Sequence, residues 1–532
     1  MKKLLSALMI LAAMAGYSQA PFGIHLEPMT ISGLGGIQSY AFGQANGKWL
    51  IVGGRLDGLH RRQPWASFDI AGHNDQLIVV DPVAGTKWTQ SMAGLPSPVR
   101  EQLSSTNMNF HQSGGTLYVI GGYGYSTTAG DHVTYPLLTA IDVPGLIQAI
   151  IGGSAIGSYF RQISHPDFAV TGGQLEKIYD TWYLVGGQKF DGRYNPMGHS
   201  TFVQTYTNAI RRFKIQDDGI QLQVIHLPAW TSATSLHRRD YNVASQIMPN
   251  GEEGVTAYSG VFQTTADIPF LDCVNVDSSG FAVDPNFAQY YNHYHCATMP
   301  LYSESRNEMH TVFFGGIAQY YDSLGILVQD DDVPFVRTIA RVTRDANNVM
   351  SEHKLPVEMP GLLGAGAEFI PFQGNPSFSN EVIKLDSLTS DTVLVGYIFG
   401  GIQSSSPNIF WVNTGTESSA SSTIYKVHLI SGRLVNIDEV NPQSIDGLKM
   451  QVYTGIPGIL YVDYWLGHRT PVTITVHDLM GKQLTRKEIP AREWIKGNNH
   501  VEVPVGEVAR GSTLLITLET RDQKVTQKMI SF

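Results

Sequence analysis

The segment TWYLVGGQKF, Thr181 to Phe190, decides the fold. It opens as an apolar strand, meets Gly186-Gly187 and runs on into polar residues. Glycine weakens a strand because it loses the most backbone entropy and packs nothing, so a strand that ends on two of them has a steric reason to. The same doublet closes KWLIVGG at Gly53-Gly54, TLYVIGG at Gly121-Gly122, HTVFFGG at Gly315-Gly316 and VGYIFGG at Gly400-Gly401. A sixth copy, GVTAYSG, ends in Ser259-Gly260. Successive second positions (54, 122, 187, 260, 316, 401) lie 68, 65, 73, 56 and 85 residues apart, which makes an internal repeat of variable loop length.

The flanks repeat as well. Before each doublet comes another apolar segment and a turn, as in MNFHQSGGTLYVIGG. After it come a loop and a strand such as NDQLIVVDP, NAIRRFKI, PFLDCVNV, PFVRTIARV or TIYKVHLI. Most units then carry a fourth strand near a Leu-Pro, as in LQVIHLP and SEHKLP. Four strands in each of six units, with helical periodicity confined to Pro144–Phe160, predict an all-β chain built as a six-bladed β-propeller. The second strands of neighbouring blades pack face to face near a common axis, where side chains at the strand end would collide. Phe22–Ser32, FGIHLEPMTIS, has the form of the fourth-strand segments VIHLPAWTS and EHKLPVEMP. It is therefore expected to complete the last blade beside strands from 366–430, the rival for that place being Arg433–Val440, and so to remove an exposed edge.

The apolar run, the Gly-Gly, the third strand and an aromatic on the fourth (Trp88) resemble the kelch repeat family over roughly residues 22–440. That resemblance implies a kelch-like propeller and also brings in exported sialic-acid epimerases built on such propellers.

After Asn441-Pro442 the pattern changes to seven strand-like runs in under 90 residues, from LKMQVYTG to QKVTQKMISF, with turns such as Met480-Gly481-Lys482. These predict a small antiparallel β-sandwich over 441–532. TVHDLMGKQL, GNNHVEVPV and the terminal RGSTLLITLETRDQKVTQKMISF resemble the C-terminal sorting domain of type IX secretion. The resemblance implies the type IX secretion machinery as a partner and passage across an outer membrane.

Bulk composition agrees with a folded, exported protein. In 532 residues, 42% hydrophobic and 15% charged residues suit a large core, and 54 glycines and 26 prolines fall between apolar runs as turns. A net charge of −10 without a long Lys/Arg block argues against nucleic acid as partner. Lys2-Lys3, the apolar run from Leu4 and the small-residue stretch to Ala20 read as a signal peptide over 1–20, with no integral membrane segment after it. The expected location is secreted or at the outer cell surface. Cys273 and Cys296 are the two cysteines, and the sequence leaves open whether they pair.

In a propeller of this strand order, the loops leaving the doublets share a face with the loops entering the first strands. The former are long, and long loops on a rigid scaffold carry function. The ligand-binding candidates on this face are Arg61, Arg62, Trp65, Arg193, Tyr194, His237, Arg238, Arg239, Tyr291, His293, Tyr320 and Trp411. Aromatics mixed with Arg suit stacking on sugar rings or anchoring a protein. Arg238 and Arg239 read equally as a carboxylate clamp or as a bridge between blades. Asp330–Asp332 reads as a solvated acidic loop, and His293 and His295 lack a third ligand at recognisable spacing. No metal and no cofactor are expected. No Ser-His-Asp order, HExxH helix, P-loop or dinucleotide fingerprint is present, although an axial site gathers one residue per blade and leaves no local motif. The expectation is a non-catalytic binder of a glycan or an extracellular protein. The alternative is a carbohydrate-active enzyme, epimerase-like or lyase-like, on the same face.

Overall fold

Each apolar run that ends in a doublet is the second strand of an antiparallel sheet of at least four strands, and there are six such sheets. A computed structural model describes residues 21–195, 201–323, 326–431, 449–456, 458–466, 470–478, 481–490, 497–506, 512–521 and 524–530. The leader at 1–20, the rival closing segment and the boundary at 440/441 lie outside the described residues.

Blade one runs Ala41–Ala45, Lys48–Val52, Gln76–Asp81, Thr86–Ser91 from the axis outward, and blades two to five repeat that order. Blade six comprises Leu362–Pro371, Thr392–Ser404 and Ile424–Ser431, and its outermost strand is Phe22–Met29. That strand pairs antiparallel from Phe22↔Ser431 to Met29↔Ile424, so the N-terminal strand closes the last blade as expected. Pro28, Pro228 and Pro356 all sit in outermost strands, where a missing N–H breaks no ladder.

The second strands are apolar on consecutive positions because both of their faces are buried. Trp182 and Leu184 face blade two, in a cluster with Tyr118, Ile120 and Phe168, while Tyr183 and Val185 face blade four with Tyr241 and Val255. In blade one, Leu50 and Val52 face blade two whereas Trp49 and Ile51 face blade six. The core is thus a circle of apolar seams between blades. Cys273 and Cys296 share one seam as separate free thiols, each pushed up to about 12, by burial first. They are expected to ignore a thiol reagent in the native protein and to react at once in denaturant; labelling before unfolding would overturn that burial.

The doublets have two causes, one of which the sequence reading anticipated. Both glycines of Gly121-Gly122 have positive φ, 69° and 92°, a region that L side chains rarely adopt. A Cβ on Gly121 would also stand 1.8 Å from the Val170 carbonyl oxygen of the next blade. The contact exists because the second glycine's N–H donates to the loop entering the next blade: Gly54 to Ser105, Gly122 to Val170, Gly187 to Arg238 and Gly401 to Ile37, at 2.8–3.0 Å.

A second circuit closes on the axis. The Ser39 N–H donates to Gly366, Gly366 to His295, His295 to Asp240, Asp240 to Gly172, Gly172 to Asn107, and Asn107 back to Ser39, at 2.7–3.2 Å. Five members stand just before their blade's inner strand, and Gly366 lies within that of blade six, just past its register shift. Five of the six adopt positive φ, which Gly, Asn, Asp and Ser tolerate best. The space enclosed at this ring is about 10 Å³, the size of one water.

Helix occurs at Val143–Gly152, starting one residue before the expected Pro144–Phe160 and ending short of it, capped by Asp142 and ended by Gly153 at φ 66°. A further short helix, Ser97–Leu103, was not anticipated; Pro98 starts it and seven residues give little periodicity to read. Among the described residues no helix is long and apolar enough to cross a membrane. The C-terminal runs form seven strands in two antiparallel sheets, Lys449–Ile456, Ile459–Leu466 and Gly497–Pro504 against Val472–Asp478, Gln483–Ile489, Thr513–Glu519 and Lys524–Ile530. Alternate residues such as Val462, Tyr464, Ile474 and Val476 fill the space between them.

Candidate functional site

The residue after each doublet bridges to the residue just before the axial ring, which puts the long loops and the entry loops on one face, around the axis. Gln38 pairs with Arg55, Thr106 with Tyr123, Thr171 with Gln188 and Arg239 with Val261. The long loops fold into hairpins of their own, including Tyr123–Ser126 with Asp131–Thr134 and Gln188–Gly192 with Phe202–Tyr206.

Arg239 lies at the centre of this face. Its Nε donates to Tyr206 Oη at 3.0 Å, its Nη1 donates to the Asp240 carboxylate, and the guanidinium stands 5.0 Å over Phe262. Tyr206 stacks on His237 at 3.8 Å, and His237 Nδ1 is 2.8 Å from Asn208 Oδ1. Across the same face Arg193 donates to the Trp65 carbonyl, joining the loops of blades three and one. Tyr194 receives His60 edge-on at 4.9 Å, and His60 stacks on Phe68. Phe190 stacks on Phe202 at 4.5 Å. The result is an aromatic surface around two partly exposed guanidinium groups, Arg239 and Arg193.

The imidazoles on this face carry no charge at neutral pH. Burial, with Arg239 and Arg55 close by, holds His60 down to about 4; burial and then Arg55 hold His73 down to about 4; burial and then Arg239 lower His237. Positive charge here comes from arginine.

Twelve residues were expected to face a ligand, and the structure separates them. Arg193, Tyr194, His237 and Arg239 gather in the cluster above. Trp65 and Trp411 are 74% and 62% exposed on the surrounding loops. Arg61 is exposed and lies against Gly415, Arg62 bonds through its backbone to Asn413, and Tyr320 is half-buried with its hydroxyl on Gln329. Arg238, Tyr291 and His293 correct the expectation. His293 is buried with Nε2 2.9 Å from Gln289 O and Nδ1 accepting the Gln319 N–H at 3.0 Å; it holds two loops together. Tyr291 is buried against blade five. Arg238 is 1% exposed and donates to Ser235 O, Ser259 O and Asp272 Oδ1 at 2.5–2.7 Å. It ties its own blade's entry loop to the degenerate doublet. Arg238→Ala is therefore expected to cost about 3 kcal/mol in urea unfolding, because it strands a paired carboxylate and two carbonyls; a cost under 1 kcal/mol would refute that role.

Tyr206 and Asp240 were missed, since neither stands in a distinctive motif. A trio outside this face, His165, Asp167 and His226, brings three ligand-type atoms together, with Nδ1 of each histidine 3.5–3.6 Å from Asp167 Oδ2. Arg211 already shares that carboxylate, and His165 Nδ1 accepts the Asp167 N–H.

No family model matches the chain, and no curated protein matches it. Among solved structures it is similar to YjhT, at 11% identity and a TM-score of 0.41 over 74% of this chain and 97% of that one. It is also similar to a chain of RAG in complex with one melted and one unmelted RSS, at 12% identity and 0.37 over 77% and 99%. A third is a glycoside hydrolase family 43 arabinoxylan arabinofuranohydrolase from Bacillus subtilis, at 10% and 0.29 over 93% and 96%.

Proposed function

We propose that the chain is an exported kelch-type propeller that binds a glycan on its long-loop face without transforming it. The C-terminal sandwich would serve as a type IX sorting domain that delivers it to the cell surface. The reading is carried by one observation: Arg239 stands among Tyr206, Tyr194 and the stacked His237, with exposed Trp65 and Trp411 on the loops around it. Aromatic faces stack on the C–H faces of sugar rings, and a fixed guanidinium donates to ring hydroxyls or to a sugar carboxylate. Binding rather than catalysis is favoured because the imidazoles are stacked or hydrogen-bonded and Asp240 is held by Arg239.

Screening glycan oligomers against the purified protein by melting temperature tests this, since a ligand of the native state raises the transition. A bound glycan should lose affinity by about 30-fold in Arg239→Ala, the scale of a central anchor, and less in Trp65→Ala. If no glycan raises the transition, or if Arg239→Ala folds and binds as before, the reading fails. Capture of a protein in place of any glycan would also overturn it.

A further inference from the structure

Beyond the axial ring, on the side away from the long loops, the six inner strands enclose a chamber of about 150 Å³. Phe42, Phe110 and Phe369 form apolar wall. His111 faces Glu176 at 3.6 Å and His295 faces Glu368 at 3.2 Å. The segment between Pro371 and Thr392 contributes to the wall and is anchored to three blades. Gln373 Oε1 accepts the Gly47 N–H at 2.7 Å, Asn380 Nδ2 donates to Gln246 O at 3.0 Å, and Ile383–Lys384 pair in parallel with Leu301–Tyr302. This strap places Asn380 and Glu381 in the lining, and Glu381 adopts φ 66°, a conformation its side chain disfavours.

Two buried oxygens in this lining are under-supplied with hydrogen-bond donors. Asn380 is 6% exposed and its Oδ1 is unbonded; Glu368 is 9% exposed and its Oε1 has only the ion-pair contact to His295. A buried acceptor left without a donor is costly, so this chamber is short of donors. Water or a hydroxylated solute can supply them. The charges are already balanced in pairs: Glu176 holds the His111 proton and Glu368 holds that of His295 against burial, while burial keeps Glu381 protonated to higher pH. A cation is therefore not demanded, whereas several hydroxyls and an apolar ring face are.

We propose that the axial chamber is a binding site for one small neutral polyol, of the size and chemistry of a monosaccharide or cyclitol. Its hydroxyls donate to Glu368, Asn380 and Glu176, and its C–H face lies on the phenylalanines. The site is independent of the long-loop reading, because the hydrogen-bonded ring separates the two.

The test is calorimetric titration of the full chain with hexoses, N-acetylhexosamines and myo-inositol, each at up to tens of millimolar. At least one should bind with 1:1 stoichiometry. Glu368→Gln and Glu176→Gln, each checked for native circular dichroism, should weaken it by about 10- to 100-fold, the scale of a charged hydrogen bond. Arg239→Ala should leave it within twofold. If Glu368→Gln does not fold, Glu176→Gln, on a different blade, carries the test. The proposal is overturned if no compound binds, if a simple amine binds in place of every polyol, or if binding follows Arg239 and not the chamber carboxylates. Failure of glycan oligomers on the long-loop face leaves this outcome unaffected, so the two readings fall separately.

Discussion

Gly121→Ala is expected to abolish cooperative folding, or to lower stability by about 4 kcal/mol or more. Gly85→Ala is expected to cost about 1 kcal/mol. Both glycines have positive φ, 69° and 65°, so backbone strain is common to the two substitutions. They differ in what a side chain meets. At Gly121 a Cβ would lie 1.8 Å from Val170 O, a backbone atom held by the Gly122 N–H, while at Gly85 nothing lies within 4 Å. Relief at Gly121 requires moving one blade away from the next, which opens the apolar seam between Ile120 and Val170. Urea unfolding of the two variants measures the difference. Equal costs would mean that the doublets answer to φ alone and not to the distance between blades.

Removing the first strand should have the other large effect. A chain that begins at Ser32 is expected to lose at least 5 kcal/mol relative to one that begins at Phe22, and to aggregate. Phe22 and Ile24 are 2% and 6% exposed, and each contributes on the order of 2 kcal/mol by burial. The Lys426–Glu27 pair is lost, and Ile424–Ser431 becomes an unpaired edge. A synthetic peptide spanning 21–31 should restore the melting transition when added in excess, because the partner strand survives. If the shortened chain melts as the longer one does, the strand is an ornament of the sheet and not its closure.

The parts of this fold that were legible in the sequence are those whose cause is local. TLYVIGG shows its two buried faces as a run without alternation and its close approach as a glycine pair. FGIHLEPM could be matched to its role because it shares the Leu and Pro of other outer strands. Seven strands of the sandwich alternate plainly, as in Ile459–Leu466. What stayed hidden depends on distant partners. Arg238 and Arg239 are adjacent, yet one is buried under three carbonyls and a carboxylate while the other reaches the central face, and nothing in the dipeptide separates them. The chamber draws His111, Glu176 and Glu368 from three inner strands and His295 from just ahead of a fourth, with no shared spacing. The strap at 372–391 leaves no sequence signal because its two-residue strand, Ile383–Lys384, joins blade five and not its own blade. One signal was available: Ser39, Asn107, Gly172 and Asp240, residue types that tolerate positive φ, stand immediately ahead of the inner strands.

The closed circuit of backbone bonds at those positions has a consequence for transport along the axis. A lumen closed by a ring of backbone bonds with room for about one water is a bulkhead to sugar-sized solutes, which pass between the two sides of the wheel through bulk solvent. A hexose taken up on one side would have to leave by the door it entered.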